Sequence, residues 1–315
     1  MLELCARDQW RAEDLDWSGT PRELPPDDER AIVQYFTDMA AIERLAKALF
    51  VEQERRATEP RLRAIFASFV EDEERHAVVA ERLARYYDRR KLEDYRTHPS
   101  LDRFVPHFVA AVRLVSDEIA NSYVLAGELI LDVALLRSLD DYVKDSMSAR
   151  AMKLINRDES RHIAVDYHMV EYYASDAFEE ELRRRGPRAL PARIRGALAV
   201  ARMLYAGAPF FREVFFQPMA RLDPSGRRLR EAMKRMQLIG AKPGVARRPF
   251  GRFMKGLQDL YLHPLGRIFF GRVLARLAGV DERFLAKLYS DEEWERAKRM
   301  SFDALAEEAL LAKTH

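Results

Sequence analysis

The chain has 315 residues, 48% of them hydrophobic, and its 53 basic and 51 acidic side chains leave a net charge of only +2. That much apolar material fills one large or two smaller globular domains and excludes a disordered chain. A single cysteine, Cys5, excludes an intramolecular disulfide and any thiolate metal cluster, so a metal here must be held by carboxylate and imidazole. The first residues lack the apolar core of a secretion signal. The most apolar run, "YVLAGELILDVALL", is too short to span a bilayer and carries Glu128 and Asp132. These features predict a cytoplasmic protein without a membrane span.

With only 13 Gly and 14 Pro, and no alternating run of β-branched residues, the chain reads as helical throughout. Residues 1–27 form a polar, Pro-containing lead. Residues 28–57 begin with acidic side chains, carry apolar residues at helical spacing and stop near "TEP". A second helix opens at Pro60 and runs through "EDEERHAVVAERL", making an antiparallel hairpin with the first. A polar stretch of about fifteen residues, long enough at about 3.3 Å per residue to cross a bundle, leads into a third helix over 108–136. The chain turns near "SLDD", and a fourth helix carries "RDESRHIAVDYH". Beyond Gly186, Pro187 and Pro191 the pattern shortens. Residues 182–280 hold 22 basic and 4 acidic side chains, a local net charge of +18. Such asymmetry suits an anionic partner, an acidic carrier protein above all, or balances the acidic part of the chain through internal ion pairs. The run at 253–280, "FMKGLQDLYLHPLGRIFFGRVLARLAGV", reads as core-packing helices.

The second and fourth helices share one phrase, D-E-x-R-H, as Asp72, Glu73, Arg75, His76 and again as Asp158, Glu159, Arg161, His162. Residues three apart lie about 60° apart on a helix, so each Glu-x-x-His can aim a carboxylate and an imidazole at one point. Each hairpin should add one carboxylate from its other helix at the same height. With the first turn at residue 58, the position level with Glu73 is Glu43. In the second hairpin the candidates are Glu118 and Glu128. Glu128 is preferred because its apolar neighbours make an unpaired carboxylate costly, and because it lies 31 residues from Glu159 where Glu43 lies 30 from Glu73. Glu43 to Glu128 is 85 residues and Glu73 to Glu159 is 86, so the set is internally duplicated.

Glu43, Glu73-x-x-His76, Glu128 and Glu159-x-x-His162 together resemble the ferritin-like di-iron carboxylate superfamily. The D-E-x-R-H form is similar to that of acyl-carrier-protein desaturases and arylamine N-oxygenases; the additional His of the latter falls at Ile155 here. The resemblance covers about half the chain. It implies a ferritin-like four-helix bundle over 28–180, with 181–315 an appended basic helical extension packed on it. It implies two iron ions in the Fe(II) and Fe(III) states, with manganese the alternative, bridged by Glu73 and Glu159, each bound by one of His76 and His162, and capped by Glu43 and Glu128. Asp72 and Asp158 then resemble the acceptors that orient a metal-bound imidazole. Arg75 and Arg161 either neutralise that carboxylate-rich core or form ion pairs on the helix surface. Asp166, four residues past His162, is within reach of the site but reads as a solvated helix residue.

The implied activity is that of an O2-activating oxygenase, monooxygenase, N-oxygenase or desaturase acting on a small or carrier-bound organic substrate. It implies an external electron donor and a monomer or homodimer. The alternative is an iron-handling, ferritin-like protein or ferroxidase. A radical-generating subunit, which needs a Tyr close to the iron, is disfavoured by Ala80 one turn past His76.

Overall fold

The computed structural model describes residues 1–130, 144–266 and 286–312, and these are all-helical. The expected turn near "SLDD" and the part of the 253–280 run beyond residue 266 lie outside the described residues. Helix α1 spans Leu2–Arg7 in the lead. Helix α2, Pro26–Arg56, starts with Pro26, Asp27, Asp28 and Glu29 and ends with Arg55 and Arg56, a charge order that complements the helix dipole at both ends. The chain reverses over three residues into α3, Pro60–Tyr87, where the Glu59 side chain caps by accepting the Leu62 N–H.

The expected third helix is two helices. Helix α4, Pro99–Leu114, stops where Val115 turns extended, and α5, Asp117–Glu128, starts afresh with Ser116 at its N-cap position. No Gly or Pro marks the break. Instead Arg56 donates to the carbonyls of Val112, Arg113 and Val115, and Arg188 donates to those of Leu114 and Val115, so the freed carbonyls of α4 find partners remote in sequence. Helix α4 leaves the hairpin register to pack on a later helix as well as on α2.

Helix α6, Ser146–Ala174, is capped by Asp145, whose carboxylate accepts from the Met147 and Ser148 amides. Helix α2 packs on α3, α3 on α6, α6 on α5 and α5 on α2, so four helices close a ring. Further helices among the described residues are α7 (Asp176–Arg185), α8 (Leu190–Phe210, the partner of α4) and, after a π-helical segment, α9 (Gln217–Leu222). They continue with α10 (Arg227–Ile239), α11 (Pro243–Ala246), α12 (Pro249–Leu262), α13 (Pro264–Gly266), α14 (Asp291–Arg299) and α15 (Phe302–Ala312). Helices α11 and α15 lie against α6, and α12 touches α5.

Part of the basic charge of residues 182–280 is spent internally. Arg248 grips Glu118 through two hydrogen bonds of 2.9 and 2.6 Å, Arg235 pairs with Glu308, and Arg221 pairs with Asp28. The described part of the 253–280 run does not form core as expected: Phe253, Leu262 and Leu265 are exposed, and α12 buries only Gly251. No helix among the described residues is long and apolar enough to cross a membrane.

Candidate metal centre

The four-helix ring carries charge where a bundle should be most apolar. Glu43 on α2, Glu73 and His76 on α3, Glu128 at the end of α5, and Glu159 and His162 on α6 are all buried. Glu43, Glu73, His76 and Glu159 bring one ligand atom each to within 4.8 Å of one another, and so do Glu73, Glu128, Glu159 and His162. Glu73 and Glu159 belong to both groups, and the other four residues to one group each. Glu118, the rival of Glu128, points elsewhere, into its ion pair with Arg248.

The polar atoms of this cluster converge without satisfying one another. His76 Nδ1 lies 3.1 Å from Glu159 Oε1, and His162 Nδ1 lies 3.2 Å from Glu73 Oε1 and 2.9 Å from Glu159 Oε2. Yet both Nδ1 atoms, both oxygens of Glu73, and one oxygen each of Glu128 and Glu159 make no directed hydrogen bond among the described residues. Leaving one such buried atom unpaired costs about 1–3 kcal/mol, so six in one place call for a common partner. Four carboxylates and two imidazoles with shared members can hold metal ions, and the donor set is that of first-row divalent ions.

Electrostatics point the same way. Burial and the neighbouring Glu73 carboxylate push the Glu43 carboxyl well up, and burial with Glu159 does the same to Glu128. Glu159 is held well below its usual range because, against its burial, the two imidazoles face it. Both histidines are raised: burial opposes their charge, but for His76 the Asp158 and Glu159 carboxylates prevail, and for His162 those of Glu159 and Asp72. The shifts of Glu43, Glu128 and the two histidines favour their protonated forms, so a metal binding there competes with protons.

Each imidazole turns its other nitrogen toward an aspartate of the opposite motif. His76 Nε2 lies 3.3 Å from Asp158 Oδ2, and His162 Nε2 lies 3.4 Å from Asp72 Oδ2. Arg161 ties the two aspartates together, donating to Asp158 at 2.9 Å and to Asp72 at 3.1 Å, while Arg75 bonds Asp72 and lies 3.5 Å from Asp158. The two arginines therefore neutralise the aspartates behind the histidines, and neither is a surface pair. The Asp158 carboxyl is held at about 2 because, against its burial, it faces His76, Trp10 and Arg161. Phe69 and Phe50 pack on the His162 ring at centroid distances of 4.1 and 5.1 Å.

Two residues beside the site were not assigned to it from the sequence. Trp10 in the lead is buried, donates its indole N–H to Asp158 Oδ2 at 2.6 Å, and carries the Arg75 guanidinium over its ring at 5.2 Å. The lead's scattered apolar residues, Cys5, Trp10, Ala12 and Leu15, all buried, were the available signal. Asp166, expected to be solvated, is fully buried, and neither of its oxygens has a hydrogen-bond partner among the described residues. Burial raises its carboxyl well above the usual range, against the nearby His162.

Trp10→Phe keeps the ring and removes the donor to Asp158. It is expected to lower metal affinity by about 10- to 100-fold, the effect typical of losing a group that orients a ligand. A chelator-competition titration, with near-UV circular dichroism as the check on folding, reads this out. An unchanged affinity would make Trp10 a packing residue only.

Compared with known proteins, the chain matches no family model, no curated protein and no solved structure.

Proposed function

We propose that the chain is a ferritin-like, two-metal oxidoreductase that reduces O2 at two iron ions, or at manganese, and oxidises an organic substrate. One observation carries this reading: Glu73 and Glu159 are common to two overlapping ligand groups, which suits two ions held side by side rather than one. Held there, two iron ions would supply the redox chemistry for O2 reduction, for which an external electron donor would be needed.

The chain's own residues do the rest. Glu73 and Glu159, common to both ligand groups, would be shared between two ions, Glu43 and Glu128 would each serve one, and His76 and His162 would offer Nδ1. Asp158 and Asp72 hold the remaining ring nitrogens and so fix the tautomer. Phe50 and Phe69 exclude water from the His162 side. An acidic carrier protein suits the charge of residues 182–280 as a partner. Arg248 plays no part in such a surface, because it is committed to Glu118.

Protein reconstituted anaerobically with Fe(II) is expected to bind two ions per chain and to take up O2 on mixing. Two bound ions without O2 uptake, with or without candidate substrates, would favour the iron-handling alternative. Fewer than two bound ions would remove the two-metal reading itself.

A further inference from the structure

A cavity of about 580 Å³ lies among the described residues, within the range of sites that hold small organic molecules. Its inner wall comes from the two helices that carry half of the metal centre. Ser122, Leu125 and Ala126 contribute from α5, and Val170 from α6. Leu125 is one helical turn before Glu128, about 4.5 Å along the axis. Val170 is one turn past Asp166 and two past His162, about 12 Å along the axis. The outer wall is built by the C-terminal part of the chain, with Met236, Met254, Leu257 and Trp294 among its apolar members.

Protein interiors leave few voids larger than a water molecule, so an apolar space of this size beside a buried carboxylate cluster has the form of a binding site. Its charges are internally balanced. Lys255 pairs with Asp259, Lys287 with Asp291, and Lys298 with Glu295, so no unopposed cluster of cations awaits a phosphate. One lining group is left over. Gln258 Nε2 is buried without a hydrogen-bond partner among the described residues, while Gln258 Oε1 lies 3.3 Å from the Tyr289 hydroxyl. Tyr289 is itself held by stacking on Trp294 at 4.7 Å.

We propose that this cavity binds the organic substrate, and that the substrate is an apolar aliphatic or aromatic molecule with one hydrogen-bond acceptor, a carboxylate or a carbonyl, placed against Gln258. The proposal rests on the two-metal reading for the word substrate. It assigns the C-terminal third of the chain a role, as the outer half of the site, and it assigns Gln258 the choice of which end of the molecule points away from the metal centre. The long axis then runs toward Leu125 and Val170, and the oxidised position lies on the apolar part.

The test uses full-length protein and two probes, decanoate and 2-naphthoate, titrated calorimetrically into metal-free and Co(II)-loaded protein. Each is expected to bind at one site per chain, and to change the visible absorption of the Co(II)-loaded form because Leu125 of the cavity wall lies one helical turn from Glu128. Met254→Trp, which fills the cavity, is expected to weaken both probes at least tenfold. Gln258→Leu is expected to weaken both about tenfold while leaving naphthalene, which has no acceptor, unaffected. Neither variant should alter metal content, since neither residue belongs to the centre. No binding by the folded wild type, or unchanged probe affinity in folded Met254→Trp or in Gln258→Leu, would overturn the proposal. Binding with no change in the Co(II) spectrum would overturn it as a substrate site. Binding to metal-free protein together with failure to load two metals would instead sink the two-metal reading while leaving a ligand cavity.

Discussion

Replacing Arg161 by Leu is expected to destabilise the metal-free protein by about 3–5 kcal/mol, the cost of breaking a buried ion pair from one side. Arg161 is 5% exposed and donates to Asp72 at 3.1 Å and Asp158 at 2.9 Å, two carboxylates with no exposure at all. Without it, the only guanidinium bonded to Asp72 among the described residues is that of Arg75, which also bonds Gln9 and stacks on Trp10, while Asp158 keeps the Trp10 indole and a longer pair with Arg157 at 3.6 Å. Lys at this position should recover part of the loss, because a point charge cannot present the guanidinium's several fixed donors to two acceptors at once. Urea unfolding reads the result as a lower midpoint at unchanged slope. A loss below about 1 kcal/mol would show that the arginine-aspartate lattice contributes nothing that Arg75 alone does not supply.

The same lattice shows which parts of the molecule were legible in the sequence. The two Glu-x-x-His pairs were, because both residues of each pair sit on one helix and their spacing fixes their shared direction. Glu43 was, because a hairpin with a three-residue turn converts a count from the turn into a height. Glu128 was separable from Glu118 by its apolar neighbours, although the partner that explains Glu118, Arg248, is 130 residues away and carried no signal. The crosswise pairing of Asp72 with His162 and of Asp158 with His76 was not legible, since it depends on how α3 faces α6. Nor was the break between α4 and α5. It is permitted by Arg56 and Arg188, which satisfy carbonyls that no local residue caps. Trp10 stayed hidden because it reaches Asp158 across 148 residues from a segment with no helical period of its own.

The four carboxylates should separate into two classes when each is changed to Ala. Glu43→Ala and Glu128→Ala each remove a member of one ligand group only, so each is expected to leave one tightly bound ion per chain. Glu73→Ala and Glu159→Ala remove a member of both groups and should leave little or no metal, with affinity falling well beyond the roughly 100-fold typical of an outer, orienting group. Stability must follow binding. A metal held at about 1,000 times its dissociation constant adds about 4.1 kcal/mol to the folded state. Wild type should therefore unfold at a clearly higher temperature when loaded, Glu43→Ala and Glu128→Ala should retain part of that increment, and Glu159→Ala should show none. Elemental analysis after dialysis and thermal unfolding with and without metal give independent readings of the same pattern. Because burial and the surrounding carboxylates favour the protonated forms of Glu43, Glu128, His76 and His162, loading is also expected to release protons, which a weakly buffered titration detects. If Glu73→Ala and Glu159→Ala retain two ions, or if all four variants lose metal alike, the shared carboxylates do not bridge and the two-ion geometry has to be abandoned.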